Sequence, residues 1–148
     1  MKPLDSALWE MSLAFENLPD DLLWKRADPR LLSVGELAAH VAYGEIVSIL
    51  GTFDSPFMTP AIRYYPYTRD EQVILPMNSE QVWEEVKRVH EASKSSLLSA
   101  SPDPEAVNPH RTDWNWGYTL EYMAFHVAYH TGQIYSVLHL LGYETVDN

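Results

Sequence analysis

Cysteine is absent from this chain of 148 residues. Its absence excludes disulfide bonds, thiolate metal sites and a cysteine nucleophile, and it agrees with a reducing compartment. Any metal ligand or activated nucleophile in this protein must therefore come from other residue types.

Basic residues are scarce. The sequence has 10 Lys and Arg against 21 Asp and Glu, which gives a formal net charge of −11. Proteins bind phosphate backbones through clustered Lys and Arg, so we expect no nucleic acid partner. The same negative charge argues against docking on anionic lipid.

Long apolar runs are also missing, since no stretch approaches the roughly 20 residues that a membrane span needs. The first residues lack the basic start and apolar run of a secretory signal. We therefore expect no membrane association and a cytoplasmic location. The length is that of a single domain, residues 1–148, which is enough to bury a full core.

Four segments have the apolar periodicity of amphipathic helices. The second opens at Ser33, and Glu36 three residues later completes the pattern of a capping box. Gly142 follows the last segment, in the usual terminating position. The expected bounds are about 5–18, 33–51, 78–101 and 118–141. Since only residues 72–75 are candidates for brief strand pairing, the sequence predicts an all-α four-helix bundle.

The connections between these segments differ in length. The first and last span about 14 and 16 residues, whereas the central one, residues 51–77, spans about 27. A connection this long in a compact bundle usually crosses from one end to the other or covers a site. We therefore expect a long central crossover.

Three of the six histidines form a candidate metal site. His126 and His130 are four residues apart, so both imidazoles lie on one side of a helix and can share one cation. His40 lies in the second helix, at the border of its apolar stripe, and Gly44 one turn later leaves room beside it. A third imidazole brought in by packing would complete a three-histidine site with open coordination positions, as in catalytic metal centres.

The alternative is that these histidines are incidental, because a histidine at the border of an apolar stripe is usually a structural residue. We expect a structural role for His90, His110 and His139. Near the HxxxH pair, Gln133 is a candidate to orient a ligand ring, or it faces solvent. Tyr122, one turn before His126, is a candidate for the rim of a pocket.

Aromatic and basic residues outside the histidine pair are weaker candidates for substrate contacts. Trp114, Trp116 and Tyr118 precede the fourth helix, where aromatic residues more often fill the core or a subunit contact. Arg63 and Arg69 in the crossover are candidates for binding an anionic group, although exposed ion pairs would also explain them.

These motifs resemble the DinB-like superfamily (damage-inducible, YfiT-like) of bacterial metal-binding bundles. The likeness consists of the segment from Ser33 through Glu36 to His40, the fourth-helix motif His126-x-x-x-His130-x-Gly132-Gln133-Ile134, and the helix order with its long crossover. It covers about residues 4–142. The sequence departs from the commonest pattern at Tyr129 and Thr131.

The resemblance implies a divalent metal ligated by His40, His126 and His130, with zinc or nickel as the first candidates. It also implies an up-down-down-up bundle, a homodimer and a role in stress response. Characterised members are thiol transferases and a thiol-dependent maleylpyruvate isomerase, in which the metal activates a low-molecular-weight thiol such as bacillithiol or mycothiol.

A metal held by neutral imidazoles keeps its charge and can lower the pKa of a bound thiol or water. We therefore expect a metal-dependent transferase that acts on a small-molecule substrate with a low-molecular-weight thiol. The alternatives are a metal-dependent hydrolase and a non-catalytic protein that binds a metal or a small ligand.

Overall fold

The computed structural model describes residues 2–59, 62 and 71–146. Five α-helices, one π-helical segment and one short hairpin account for the regular structure of these residues. The helices are α1 (Lys2–Phe15), α2 (Asp20–Leu23), α3 (Val34–Glu45), α4 (Ser79–Ala100) and α5 (Trp116–Leu140). The prediction of an all-α helical bundle is confirmed. Helix α2 is a single turn in the connection between α1 and α3, where apolar periodicity predicts no helix.

Helices α1 and α5 pack side by side and run in the same direction. The hydroxyl of Tyr135 donates a hydrogen bond to the backbone oxygen of Glu10, at 3.1 Å. Eight residues further along, the hydroxyl of Tyr143 donates to the backbone oxygen of Asn17, at 3.0 Å. Because both positions advance together, the two helices are parallel.

Helix α3 packs against α5 in the opposite direction. Gly44, near the end of α3, lies against His126. His40, one turn earlier in α3, lies beside His130, which is one turn later in α5. The antiparallel crossing therefore brings the second half of α3 next to the middle of α5.

Helix α4 runs parallel to α3. At one end, the backbone N–H of Val73, which leads into α4, donates to the carboxylate of Glu36 in the first turn of α3. Further along both helices, Glu45 at the end of α3 contacts His90 in α4. Asp5, near the start of α1, contacts the same imidazole. Helix α1 is thus antiparallel to both, and the order up-down-down-up requires a crossover between α3 and α4.

Side-chain caps fix the start of the long helices. Ser33 and Glu36 form the predicted capping box at α3, and Asn78 and Gln81 form a second one at α4. Each box satisfies backbone N–H groups that the helix itself leaves without partners. The first turn of α3, which precedes His40, is therefore held in a defined position.

All four long helices contribute apolar side chains to one core. Its fully buried members include Met11, Leu37, Val41, Val86, Met123, Val127, Ile134 and Leu138. Burying each of the larger aliphatic side chains contributes roughly 1.5–3 kcal/mol before conformational entropy is subtracted. The core stripe of α5 therefore leaves the histidine pair at its border, as the periodicity predicts.

One local prediction is wrong. Residues 72–75 form no strand, because the N–H of Val73 is bonded to the buried carboxylate of Glu36 instead of to a neighbouring strand. The hairpin lies later, where β1 (Val107–Asn108) pairs antiparallel with β2 (Arg111–Asn115). The predicted stop of the second helix at Gly51 is confirmed, although its last turn, Ile46–Leu50, is π-helical before Gly51 turns the chain with φ 75°.

Part of the predicted crossover, including Arg63 and Arg69, lies outside the described residues. Among the helices that the structure describes, none combines the length and the apolar character that crossing a membrane demands.

Candidate metal centre

Helices α3 and α5 bring the three candidate histidines to one place. His40 is in the second turn of α3, and His126 and His130 are one turn apart near the middle of α5. The ring centroids are 5.0 Å apart for His40 and His126, 4.9 Å for His40 and His130, and 4.5 Å for His126 and His130. The antiparallel crossing thus joins residues that are 86 positions apart in sequence.

The nitrogen atoms of these rings are spaced as one metal ion requires. Each histidine offers a ring nitrogen, and the three atoms lie within 4.8 Å of one another. Nε2 of His40 and Nε2 of His126 are 3.2 Å apart. Two nitrogens bound tetrahedrally to one zinc at about 2.0–2.1 Å would be about 3.3 Å apart. This pair therefore has the spacing of two zinc ligands, and the three nitrogens together could hold one divalent metal.

Gln133 orients the ring of His130. Its Oε1 lies 2.7 Å from Nδ1 of His130. An amide oxygen only accepts hydrogen bonds, so this contact assigns the proton to Nδ1 and leaves the lone pair of Nε2 for a ligand. In this orientation of the amide, the nitrogen of Gln133 donates to the hydroxyl of Tyr129, at 3.3 Å.

His126 packs tightly against Gly44 of α3. A Cβ atom on Gly44 would lie 3.1 Å from Cε1 and 3.4 Å from Nδ1 of His126. Nδ1 of His126 is buried and has no hydrogen-bond partner among the described residues. The close approach of the α3 backbone holds this ring so that its other nitrogen, Nε2, points toward His40.

Burial favours the neutral form of all three imidazoles. Desolvation, with the nearby charge of His130 as the next cause, lowers the pKa of His40 to about 4, although a backbone hydrogen bond with Ile62 opposes the shift. Desolvation and the charges of the other two rings lower the pKa of His126 to about 3. Desolvation also lowers the pKa of His130, against the contact with Gln133. Metal ligation needs neutral imidazoles, so near pH 7 protons compete little for these atoms.

The histidines form the floor of a cavity of about 540 Å³. One wall belongs to α5, a second to α3, and a third to the segment between α2 and α3. The lining residues are Arg30, Leu31, Leu32, Leu37, His40, Tyr122, Phe125, His126, Tyr129, His130, Gln133, Ser136 and Val137. Within the part of the chain that the structure describes, none of these lining residues is acidic.

Aromatic side chains of α5 make one wall of this cavity. The ring of Tyr122 stacks against His126 at 5.9 Å, which agrees with its predicted place at the rim. The ring of Tyr129 contacts His130 edge-on at 5.1 Å, and Phe125 stacks on Tyr129 at 5.9 Å. Phe125 and Tyr129 remain 62% and 53% exposed, so part of each ring is accessible to a bound molecule.

The tryptophan cluster lies beside the cavity and not in its lining. The ring of Trp114 contacts Tyr118 at 4.9 Å and Tyr122 at 4.7 Å, and the guanidinium of Arg111 lies 3.6 Å from its centre. The cluster therefore contacts the ring of Tyr122 from outside the cavity lining. Trp116 packs against His110 at 6.3 Å, also outside the lining.

The other histidines have structural partners, as expected. His90 is buried between the carboxylates of Glu45 and Asp5. His110 packs against Gly51. His139 shares a hydrogen bond with Thr145 at 3.1 Å. None of the three lines the cavity described above.

Sequence reasoning missed the third wall of the cavity, which consists of Arg30, Leu31 and Leu32. These residues lie between two helices, where no apolar periodicity indicates which side chains face inward. The one usable signal was their position directly before the capping residue Ser33, since the cap fixes how the chain enters α3.

Comparison with known proteins gives one match. Residues 4–134 match the family model of the DinB superfamily. This range includes the three histidines and Gln133, and it spans most of the chain. No curated protein and no solved structure matches the chain significantly.

Proposed function

The chain belongs to the DinB superfamily, and on that premise we propose that it is a metal-dependent transferase that uses a low-molecular-weight thiol. The observation that carries the proposal is the meeting of His40, His126 and His130 at the floor of one cavity. Its volume of about 540 Å³ is in the range of small-molecule sites, which span about 300–1,000 Å³.

Each residue of the centre has a separate role in this proposal. His40, His126 and His130 hold the metal through neutral imidazole nitrogens. Gln133 accepts a hydrogen bond from the Nδ1–H of His130 through its Oε1 and so keeps Nε2 aimed into the cavity. Gly44 permits the close approach of His126 to α3. A divalent metal bound there would lower the pKa of a coordinated thiol or water and stabilise its anion as a nucleophile.

The composition of the lining favours a thiol over water as the nucleophile. A free thiol has a pKa of about 8.5, whereas that of bulk water is about 15.7. A thiol therefore needs little further help to ionise near neutral pH, while metal-dependent hydrolases commonly add a carboxylate as general base. Among the described residues that line the cavity there is no Asp or Glu. Hydrolysis remains the second candidate reaction.

Metal content is the first test. Protein prepared without an affinity tag should contain about one divalent metal per chain, measured by inductively coupled plasma mass spectrometry. His40→Ala, His126→Ala and His130→Ala should each lose it. His139→Ala, on the same helix but outside the cavity, should retain it. If the triad variants keep a full complement of metal, the proposed ligand set is wrong.

Turnover is the second test. A generic electrophile such as 1-chloro-2,4-dinitrobenzene is mixed with the protein and a series of small thiols, before and after chelation. The proposal predicts thiol conjugation that disappears on chelation and in His126→Ala. Metal retention without turnover of any thiol would favour a non-catalytic metal-binding protein. In a separate assay with a generic ester, cleavage without added thiol would favour a hydrolase.

The homodimer, the cytoplasmic location and the role in stress response stay predictions. Light scattering tests the first, since a monomer has a mass of 17.0 kDa.

A further inference from the structure

The charge of the cavity lining is opposite to that of the protein as a whole. The chain carries 21 acidic and 10 basic residues. Yet Arg30 is the one residue with a permanent charge among the described residues that line the cavity. Carboxylates outnumber cations elsewhere, but the described residues of this lining carry a positive formal charge, although Asp28 outside the lining pairs with Arg30. Such a lining favours an anionic ligand and repels a cationic one.

Arg30 makes local contacts with Asp28 and keeps donors for a ligand. Its Nε donates to Oδ1 of Asp28 at 2.9 Å and its Nη2 to Oδ2 at 3.2 Å. The backbone N–H of Arg30 also donates to Oδ1 of Asp28, at 2.9 Å. These contacts occupy one edge of the guanidinium, while Nη1 donates to no partner within the described part of the chain. The side chain is 87% exposed, so an anion can reach the remaining donors.

The walls near Arg30 are apolar and partly flat. Leu31 and Leu32 continue the chain from Arg30, and the aromatic wall of α5 presents Phe125 and Tyr129. Aromatic faces offer a large area for stacking a planar group, at little cost in side-chain entropy. The cavity thus combines a cationic rim with a surface for an apolar body.

We propose that the substrate of this site is an amphiphilic organic anion, with a planar apolar body on the aromatic wall and a carboxylate bound by Arg30. The inference rests on the proposed function in taking this cavity as the substrate site. Arg30 is then the residue that determines the preference for a charged substrate, and it takes no part in holding the metal.

A matched pair of probes tests the charge preference. The probes are 2-naphthoate and its neutral isostere 2-naphthamide, titrated into chelator-treated protein by calorimetry, so that direct metal coordination does not contribute. The proposal predicts that naphthoate binds more tightly than naphthamide. Arg30→Gln should weaken naphthoate binding about five- to tenfold and leave naphthamide binding unchanged.

Two further variants separate the parts of the site. Arg88→Gln removes the same charge from another local ion pair, with Glu85, away from the cavity, and should leave both affinities unchanged. Phe125→Ala, at an exposed position, should weaken both probes equally because it removes part of the wall without changing charge. Equal binding of the two probes, or equal losses in Arg30→Gln and Arg88→Gln, would overturn the proposal.

Metal content and thiol turnover are measured on the same preparations. A protein that binds no metal but discriminates the probes through Arg30 would refute the proposed function and leave the anion preference standing. If the protein is a metal-dependent enzyme but Arg30→Gln binds naphthoate like the wild type, the anion preference is refuted and the proposed function stands.

Discussion

Cε1 of His126 lies 3.1 Å from the position that a Cβ atom would occupy on Gly44. Such a contact is tighter than an ordinary van der Waals contact, so any side chain at this position must displace a neighbour. The other neighbour is Cε of Met123, at 3.2 Å, which is the end of a flexible side chain. The imidazole is the less adaptable partner, because its position depends on the two rings beside it.

Gly44→Ala should therefore weaken metal binding about tenfold without destabilising the helix. Alanine favours helix more than glycine does, so the free energy of unfolding should not fall. Competition with a chromophoric chelator measures the affinity, and urea denaturation measures the stability.

Gly132→Ala is the matched control, since nothing lies within 4 Å of a Cβ there. It should raise the free energy of unfolding by roughly 0.5–1 kcal/mol and leave metal affinity unchanged. Unchanged metal affinity in Gly44→Ala would mean that the contact with His126 does not position this ring for ligation.

Gln133→Ala should lower metal affinity by about tenfold to a hundredfold, because His130 loses the acceptor that fixes its ring and tautomer. Gln133→Glu keeps an oxygen acceptor at this position and should retain the affinity. Ser136→Ala also changes a polar residue of the lining, but the hydroxyl of Ser136 donates to the backbone of Gly132 and not to a histidine. It should bind metal like the wild type. Equal losses in Gln133→Ala and Gln133→Glu would contradict the orienting role.

The helices of the bundle follow from the sequence because periodicity and caps are local properties. The capping box of Ser33 and Glu36 locates the start of α3, and Gly142 follows α5 closely. Periodicity does not reveal the π-helical segment Ile46–Leu50, since five residues are too few to distinguish i→i−5 from i→i−4 bonding in an apolar pattern. The strand prediction at residues 72–75 failed because tertiary structure supplied a different acceptor, Glu36, for the N–H of Val73.

The candidate site follows from the sequence only in part. The spacing of His126 and His130, with His40 at the border of another helix, predicted which imidazoles come together, and the structure brings these three together. Their role as ligands stays a prediction. Arg30 was not predicted, because its place at the cavity depends on how the segment before α3 packs and not on any repeating pattern.

The buried carboxylate of Glu36 joins three segments of the chain through hydrogen bonds. It is fully buried and accepts hydrogen bonds from Nε and Nη2 of Arg26, from the N–H and hydroxyl of Ser33, and from the N–H of Val73. Glu36→Gln replaces one acceptor oxygen with a donor that faces other donors. Leaving the guanidinium of Arg26 without its anion should cost about 3–5 kcal/mol in the free energy of unfolding.

Urea denaturation at pH 7 measures this loss. Asp28→Asn alters the exposed pair with Arg30 and should change stability little, because solvent screens such pairs. A similar small change in Glu36→Gln would show that the buried network contributes no more than a surface pair.

His90 should make the stability of the protein depend on pH above about 6.5. Burial disfavours its charged form, but hydrogen bonds and the charges of Glu45 and Asp5 outweigh burial and raise the pKa of His90. Lys94, one turn later, pairs with the same Asp5 at 3.0 Å. A pKa raised in the folded state means that folding takes up a proton, so the stabilisation is complete below the unfolded pKa and is lost as pH rises through the folded pKa.

The free energy of unfolding of the wild type minus that of His90→Gln should therefore decrease as pH rises from about 6.5. Urea denaturation at a series of pH values, with the metal state held constant, gives this difference and cancels the titration of the other histidines. In Glu45→Gln the group that contacts Nδ1 of His90 at 3.2 Å is neutral, so the same decrease should be smaller and should end at lower pH, while it still begins near the unfolded pKa. A difference that stays constant or grows with pH would mean that folding does not raise the pKa of His90. The contact with Glu45 would then be an ordinary hydrogen bond and not an ion pair.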